Sequence, residues 1–331
     1  MRIAIVKLSA MGDIVHAMVA LQFIKKHHPD IEIDWIVEQG FSGVLEKNPH
    51  IGKILPVSLK AVKKSPLKLF EEIKRVRRYK RRSYDLVIDA QGLIKSALTA
   101  CLLGAKRAGF SKESIREGVA SLCYNKYVHI AYDANTIDRN VRVLGEPVGV
   151  EITPEMILGK KPFLFYEPDA LVTQLKAEHG DYVVFVIGST WESRNYPKEH
   201  FLTVANGLGR DVLVVWGNAE EKAKAAWIAS QCKWVTVAPK LNLNGLKALI
   251  DHSVLLIGND TGPTHMAWGL NRPSITIFGP TPTSRVYETP INKVVKSPSK
   301  VDPFKLNKED YSIREIDPQE IVKMAKRLLD D

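Results

Sequence analysis

The loop that follows the apolar stretch 254–257 carries side chains well suited to hold an anion. Asp260, Thr261 and Gly262 follow the stretch, and His265 comes one helical turn after Thr261. A helix that starts at Thr261 would offer free backbone N–H groups and the positive end of its dipole, and both favour a bound phosphate. Thr261 is a favourable N-cap residue, and Gly262 lets a ligand approach the backbone closely. His265 lies on the same helix face and can donate a hydrogen bond to a phosphate oxygen.

Asp260 has a different expected role, because a carboxylate repels a diphosphate. It is better placed to accept hydrogen bonds from sugar hydroxyls or to fix the backbone of the loop. The plain alternative for the whole loop is an ordinary helix start with a structural histidine. This loop alone therefore does not decide the function.

A second polar loop follows the predicted strand 182–187. Ser189 and Thr190 come at the end of that strand, and Arg194 follows four residues later. Hydroxyl groups can bond phosphate oxygens, and a guanidinium group can neutralise a diphosphate leaving group. Two such loops at strand ends in one domain predict a nucleotide-diphosphate site.

Asp13 is the candidate catalytic group in the first half of the chain. It follows Gly12 at the start of a helix that is predicted after the strand 2–8. Capping the helix is its ordinary role. Its functional role would be that of a general base, held by the loop in a dry, closed site.

Signatures of several other enzyme classes are missing from the sequence. It contains no Walker A loop, no Gly-x-Gly-x-x-Gly fingerprint, no His-Glu-x-x-His motif and no Gly-x-Ser-x-Gly elbow. Asp30, Glu32 and Asp34 resemble a metal motif loosely, but they alternate along a predicted strand and are expected to face solvent. We therefore expect no obligatory metal and no cofactor.

The positive charge of the chain is concentrated in one segment, 60–82, which we call the basic segment. It holds eleven basic residues against Glu71 and Glu72, a net charge of +9 in a chain of +10. A solvated helix face is the plain interpretation, and a surface for anionic lipid or a multiply charged acceptor is the functional one. Nucleic acid is a weaker candidate, because only Phe70 and Tyr79 interleave with the charges.

The elements that must position these residues alternate between strand and helix in both halves of the chain. Strands are predicted at 2–8, 31–37, 51–57, 84–90 and 106–110, and again at 182–187, 211–216, 235–238, 254–257 and 274–278. Two consecutive strand–helix arrays predict two doubly wound parallel sheets, with ligands at the carboxyl ends of the strands. We expect a first domain at 1–155, a linker at 156–168 and a second domain at 169–331, with a last helix, 317–329, that could pack on either domain.

Length and composition agree with two soluble domains. The chain has 331 residues, of which 45% are hydrophobic and 25% charged. It shows no apolar run near the roughly 18 residues that a membrane-spanning helix needs. The N-terminus begins directly with a strand, and the three cysteines form no metal-type spacing, so we expect a cytoplasmic protein.

Four stretches together resemble a known family over nearly the whole chain. They are 1–13, 84–93, 260–265 and 272–281. They are similar to the lipopolysaccharide heptosyltransferases that use ADP-heptose, glycosyltransferase family 9. The resemblance implies a GT-B fold, that is, two Rossmann-like domains facing a cleft. It also implies inverting, metal-independent transfer of L-glycero-D-manno-heptose from ADP-heptose in lipopolysaccharide inner-core biosynthesis.

The resemblance also implies roles for individual residues. Asp13 matches the catalytic base of the family, and Arg194 matches a position that is usually lysine there. Asp260 would contact the heptose, while Glu221 and Leu241 would hold the adenosine. The residues implied in donor binding are Ser189, Thr190, Arg194, Glu221, Leu241, Asp260, Thr261, Gly262 and His265, and those implied in acceptor binding are Lys7, Gly12, Lys60, Lys63, Lys64, Arg116 and Arg139.

The expected partner is a lipid acceptor. Stretches 34–38 and 90–96 favour a family member that acts on Kdo of Kdo-lipid A, at the cytoplasmic face of the bacterial inner membrane. Three alternatives stay open: a related enzyme that accepts a heptose, a nucleotide-sugar epimerase of GT-B shape, and a non-catalytic lipid-binding protein. The last alternative explains the basic segment but leaves Asp13 and the loop 260–265 without a role.

Overall fold

A computed structural model describes residues 1–62 and 66–330, and the side chain of Pro66 is outside the description. Lys63 and Lys64, two of the expected acceptor residues, lie outside the described residues. The chain divides into two compact units, Met1–Phe165 and Tyr166–Asp331. Within the described residues, no helix is both long and apolar enough to cross a membrane.

The first unit is built on a six-stranded sheet whose strands run parallel. Its strands are β1 (Arg2–Val6), β2 (Glu32–Glu38), β3 (Lys53–Val57), β4 (Leu86–Asp89), β5 (Lys106–Phe110) and β6 (Lys126–Val128). Their order in the sheet is β3-β2-β1-β4-β5-β6, which is that of a Rossmann fold.

Seven helices among the described residues of the first unit connect and cover these strands. They are α1 (Met11–His27), α2 (Ser42–Leu45), α3 (Leu59–Val62), α4 (Pro66–Tyr79), α5 (Ile94–Leu103), α6 (Thr136–Gly145) and α7 (Pro154–Leu158). A six-residue 3₁₀ helix, Gly118–Cys123, packs against α5. Helices α4 and α5 cover one face of the sheet, where Val76 and Ala100 join its core.

The second unit repeats the same arrangement. Its strands are β7 (Val183–Val186), β8 (Val212–Val215), β9 (Val235–Val237), β10 (Leu255–Asn259), β11 (Ser274–Phe278) and β12 (Asn292–Lys296), in the order β12-β11-β10-β7-β8-β9. All the pairings are parallel. Its helices are α8 (Ala170–His179), α9 (Lys198–Leu208), α10 (Ala219–Gln231), α11 (Leu243–Asp251), α12 (Gly262–Gly269) and α13 (Pro318–Asp330).

Every strand predicted from the sequence is present, and two strands were missed. The central strands β7 and β10 are buried along their whole length, so their unbroken apolar runs were easy to identify. The missed strands, β6 and β12, each lie at one of the two edges of their sheet and mix lysines with valines. A half-exposed edge strand leaves a weaker apolar pattern than a central one.

The last helix and the connecting segment also have defined places. Helix α13 packs against α9, and Ile321 lies in the core of the second unit. Within 156–168, Phe163 and Leu164 are buried, and Asn48 donates a 3.1 Å hydrogen bond to the carbonyl of Phe163. The unit boundary, between residues 165 and 166, falls within that segment.

The expectation that Asp34 faces solvent is wrong. Its side chain is fully buried in β2, where it pairs with Arg82 and accepts a 2.8 Å hydrogen bond from the hydroxyl of Tyr84. The backbone carbonyl of Arg82 also accepts a 2.7 Å hydrogen bond from the side chain of Arg2, at the start of β1. The last part of the basic segment therefore holds the amino-terminal edge of the sheet together, because a buried carboxylate needs a charged partner.

Candidate functional site

The loop between β1 and α1 places Asp13 at the carboxyl-terminal edge of the first sheet. Gln91, from the loop after β4, accepts hydrogen bonds from the backbone N–H groups of Leu8 at 3.1 Å and Ser9 at 3.0 Å. Asp13 accepts a 3.1 Å bond from the N–H of Ala10 and remains half-buried. The Gln91 amide therefore fixes the loop that carries the candidate base.

Gln91 is itself held by a buried carboxylate at the end of β4. One oxygen of Asp89 accepts from the N–H groups of Gln91 at 2.9 Å and Gly92 at 3.2 Å, and the other accepts from Ser96 at 2.8 Å and Tyr124 at 2.7 Å. Burial raises the pKa of Asp89, and these hydrogen bonds oppose the rise. The sequence analysis gave Gln91 no role, although its position after a strand adjacent to β1 is the signal that could have found it.

Lys7 lies beside Asp13 in the interior of the first unit. Its ammonium group donates to the carbonyl of Ala90 at 2.8 Å and to the side chain of Asn140 at 2.9 Å. Burial lowers the pKa of Lys7, and the negative charges of Asp13 and Asp89 oppose that change. Gly12, which was also expected to contact the acceptor, is buried in the first turn of α1.

Arg139, on α6, has most of its guanidinium group engaged within the first unit. It donates to the carbonyls of Ala131 at 2.6 Å and Ser114 at 2.7 Å. Its planar group also lies over the rings of Phe110 and Tyr132, with centroid distances of 4.9 and 5.2 Å. The structure thus shows that Arg139 holds together the loops after β5 and β6, and contact with an acceptor stays a prediction.

Lys60 and Arg116, the other expected acceptor residues that the structure describes, are exposed. The N–H of Lys60 donates to Glu38 at 3.0 Å, and its ammonium lies 4.6 Å from the ring centroid of Phe41. Arg116 is exposed in the segment after β5. These two cations are accessible to an anionic ligand.

In the second unit, the loop after β10 is organised around the buried carboxylate of Asp260, which is 1% exposed. Arg194 donates to one carboxylate oxygen at 2.7 Å and also to the carbonyl of Asp260. Thr281 donates to the same carboxylate oxygen at 2.8 Å, and the ring Nε2 of His265 lies 3.0 Å from the other. The structure thus brings Arg194, Asp260 and His265 together, and it adds Thr281, to which the sequence analysis gave no role.

Electrostatics keep Asp260 ionised in this buried position. Burial alone would raise its pKa, but the hydrogen bond from His265 and the charges of Arg194 and Arg285 outweigh burial and lower the pKa well below its ordinary range. Because both carboxylate oxygens already have partners, the geometry fits the expectation that Asp260 fixes the loop better than a direct sugar contact.

Helix α12 begins at Gly262, as the sequence predicted within one residue, but Thr261 caps it differently. Within the described part of the chain, the Thr261 side chain makes no capping hydrogen bond, while Thr264 donates back to the carbonyl of Asn259 at 2.7 Å. Thr261 and Gly262 are half-buried. The first N–H groups of α12 thus lie next to the charged group around Asp260, in the position expected for binding an anion.

Glu221 joins the loops that follow β7 and β8. Its carboxylate accepts from the N–H of Gly217 at 2.6 Å and from the side chain of Asn218 at 2.9 Å. It also lies against Gly188, where an added Cβ would come within 2.2 Å of its Oε1. The hydroxyl of Ser189 is buried and has no hydrogen-bond partner among the described residues, so it can donate to a ligand.

Two more residues that were expected to bind ADP-heptose, the sugar donor, lie near these loops. Thr190 is exposed directly after Ser189, and Leu241 is half-buried next to Gly245 at the start of α11. Among residues 1–62 and 66–330, no three His, Cys, Asp or Glu side chains are grouped to hold a metal ion. The second unit therefore offers hydroxyl groups, helix N–H groups and cations, which together suit a nucleoside diphosphate.

We predict that Asp260→Asn lowers the free energy of unfolding by about 3 kcal/mol, because it removes a buried negative charge that forms an ion pair with Arg194. Since the folded-state pKa of Asp260 is lowered, its contribution is present above the unfolded pKa and is lost as the pH falls below about 4. Urea unfolding at pH 7 and pH 3 measures both effects. Asp302→Asn, at an exposed position, is the matched control, and an equal loss in both variants would contradict the prediction.

Comparison with known proteins gives consistent matches to one family. Residues 73–304 match the model of glycosyltransferase family 9 (heptosyltransferase). The chain is 33% identical to lipopolysaccharide heptosyltransferase 1 of Campylobacter coli over 100% of both chains, and 31% identical to that of Escherichia coli K12 over 85% of this chain and 88% of the relative. The structure of E. coli heptosyltransferase WaaC with ADP-2-deoxy-2-fluoro heptose superimposes with a TM-score of 0.80 at 26% identity, covering 99% of each chain.

These matches confirm the expected α/β fold, with the two Rossmann-like units of a GT-B glycosyltransferase. They extend across both units and include the loops that carry Asp13 and Asp260. The chain belongs to glycosyltransferase family 9, the heptosyltransferases.

Proposed function

We propose that this heptosyltransferase transfers L-glycero-D-manno-heptose from ADP-heptose to Kdo of Kdo-lipid A, with inversion and without a metal ion, in lipopolysaccharide inner-core synthesis. The observation that carries the proposal is the loop at the start of α12, where helix N–H groups and a buried charged group meet in a chain of this family. The relatives named lipopolysaccharide heptosyltransferase 1, at 33% and 31% identity, support this choice of acceptor.

The donor would bind to the second unit. The N-terminus of α12 and the unpartnered hydroxyl of Ser189 are suited to diphosphate oxygens, which accept hydrogen bonds from both. Glu221, at the start of α10, and Leu241, before α11, would hold the adenosine. An ADP-heptose analogue bound to a structure of the same fold supports this assignment.

Transfer would be a single displacement at the anomeric carbon. The acceptor hydroxyl attacks that carbon while the bond to the ADP oxygen breaks on the opposite face, so the configuration inverts. Asp13 accepts the proton of the attacking hydroxyl as the new glycosidic bond forms. Helix N–H groups and the positive charge of Arg194 stabilise the negative charge that develops on ADP, more in the transition state than before it.

Asp260 and His265 would act on the leaving group mainly through geometry. The ionised carboxylate holds Arg194 and His265 in fixed positions before the donor arrives, so little reorganisation is needed during the reaction. Positive charge at Arg194, where the family usually has lysine, serves the role that a metal ion has in other glycosyltransferases.

The acceptor would be presented by a membrane. Lys60 and Arg116 are exposed cations in the first unit, the unit that carries Asp13, and the basic segment adds further positive charge. Such a surface attracts the phosphate and carboxylate groups of the acceptor and the anionic lipids around it. We therefore place the enzyme as a peripheral protein on the cytoplasmic face of the bacterial inner membrane.

The experiment that tests the proposal is ADP release from ADP-heptose, measured with and without Kdo-lipid A and in the presence of EDTA. We expect ADP release that requires the acceptor and persists in EDTA. Turnover without an acceptor would instead identify a hydrolase or an epimerase. Turnover only with an acceptor that already carries a heptose would identify a later enzyme of the same biosynthetic route.

We predict that Asp13→Ala lowers kcat by about 10²- to 10⁴-fold, because the acceptor hydroxyl loses its general base. The dissociation constant of ADP should stay within about twofold of the wild-type value, since Asp13 lies outside the unit proposed to bind the donor. Steady-state kinetics and calorimetric titration with ADP measure the two quantities. Loss of ADP affinity equal to the loss of rate would rule out this role.

Gln91→Leu should lower kcat by about 10- to 100-fold, because the loop that carries Asp13 loses the amide that fixes its backbone. Gln91 is a positioning residue, so ADP affinity should not change and the pH dependence of kcat should widen or shift. Gln174→Leu, at an exposed glutamine whose side chain bonds Glu178, is the control. Identical kinetics of Gln91→Leu and wild type would contradict the prediction.

A further inference from the structure

Large apolar side chains are exposed in three neighbouring segments of the first unit. They lie at the start of α4, on the outer side of α5 and on the 3₁₀ helix Gly118–Cys123. We call them the apolar surface, which consists of Leu67, Phe70, Ile94, Leu98, Val119 and Leu122. Single exposed apolar residues are ordinary, but a group of six in contacting segments marks an interaction site.

Large apolar side chains face outward on α5, where Ile94 and Leu98 are 45% and 55% exposed. On Gly118–Cys123, Ala120 and Ser121 are buried, whereas Leu122 is 81% exposed. A helix that only had to pack in water would carry polar side chains at such outward positions. The outward residues therefore fit an apolar partner.

The three segments form one region of the molecule. Helix α4 packs on α5, and α5 packs on Gly118–Cys123. Glu117, just before that 3₁₀ helix, accepts a 2.7 Å hydrogen bond from the N–H of Ile94. Both α4 and α5 begin on the carboxyl side of the strands before them, so the apolar surface lies toward the sheet edge that carries Asp13.

Positive charge surrounds this apolar surface. Exposed basic residues on or beside the same segments are Lys68, Lys74, Arg77, Arg78, Lys95, Lys112 and Arg116. Exposed acidic residues there include Glu71 and Glu113. Apolar side chains flanked by an excess of cations match the interface of an anionic bilayer, where hydrocarbon lies below negatively charged headgroups.

We propose that the apolar surface inserts into the headgroup layer of an anionic phospholipid bilayer, with the sheet edge that carries Asp13 turned toward the membrane. The proposal rests on the proposed function, which requires a membrane-embedded acceptor, and it identifies the surface that reaches the membrane. It also assigns different roles within the basic segment. Lys68, at the start of α4, flanks the bilayer contact, whereas Arg82 is occupied at the opposite edge of the sheet.

Binding to vesicles that contain no acceptor tests the proposal directly. The full-length protein is sedimented with vesicles of phosphatidylcholine and phosphatidylglycerol, and with vesicles of phosphatidylcholine alone. We expect binding to the anionic vesicles that weakens with salt, and a loss of about tenfold or more in the double variant Leu98→Ser/Leu122→Ser. Leu158→Ser, 53% exposed on α7, is the matched control and should bind like wild type.

Activity measurements separate this proposal from the proposed function. With a water-soluble, Kdo-bearing acceptor that lacks acyl chains, the double variant should turn over at the wild-type rate. With the acceptor embedded in anionic vesicles, its rate should fall about as much as its vesicle binding. If the proposed function is wrong, neither acceptor is turned over, and the vesicle-binding result still stands.

Three results would overturn the proposal. One is equal binding of wild type and the double variant to anionic vesicles, which would leave the basic residues alone responsible. Another is wild-type binding that occurs only when the acceptor is present, which would assign the surface to the acceptor's acyl chains. The third is a wild-type dimer that the double variant converts to a monomer, since a second copy would then cover the surface.

Discussion

A parallel sheet brings the carboxyl ends of all its strands to one edge, and the chemistry of this chain depends on that constraint in both units. In the first unit, the ends of the adjacent strands β1 and β4 place Asp13, Lys7 and Gln91 side by side. In the second unit, the ends of β7 and β10 place Ser189 near the loop of Asp260. Residues that are far apart in the sequence come close together because the strands that carry them are neighbours in the sheet.

Buried charges do most of the positioning at these edges. Asp89 and Asp260 each sit at a strand end, fully surrounded by donors, and Lys7 is buried between two acceptors. Such groups are costly to bury unless every partner is in place, so each one tolerates few loop conformations. The desolvation cost of a buried charge therefore makes these loops stiff, because any movement that separates the charge from its partners is unfavourable. Stiff loops suit a reaction whose charge must be stabilised without rearrangement.

The sequence predicted the central strands, the two-domain architecture and the polar loops, because unbroken apolar runs and helix starts are local signals. It did not predict which charged side chains pair with one another. Nothing local shows that Arg194 reaches Asp260, 66 positions away, or that Arg82 neutralises Asp34. Asp34 was expected to face solvent because it alternates with apolar residues along β2. It is buried instead, because it forms an ion pair with Arg82. The edge strands β6 and β12 were missed because lysines leave them only short apolar runs, whereas the edge strands β3 and β9 were predicted.

The contact between Gly188 and Glu221 limits how these two positions can change in evolution. The carboxylate of Glu221 fills the space that a Cβ at 188 would need, 2.2 Å from its Oε1. A side chain at 188 can enter only if the carboxylate of Glu221 moves away, and that movement disturbs its hydrogen bond with the N–H of Gly217. A substitution at position 188 therefore also acts on the loop after β8, through the side chain of Glu221.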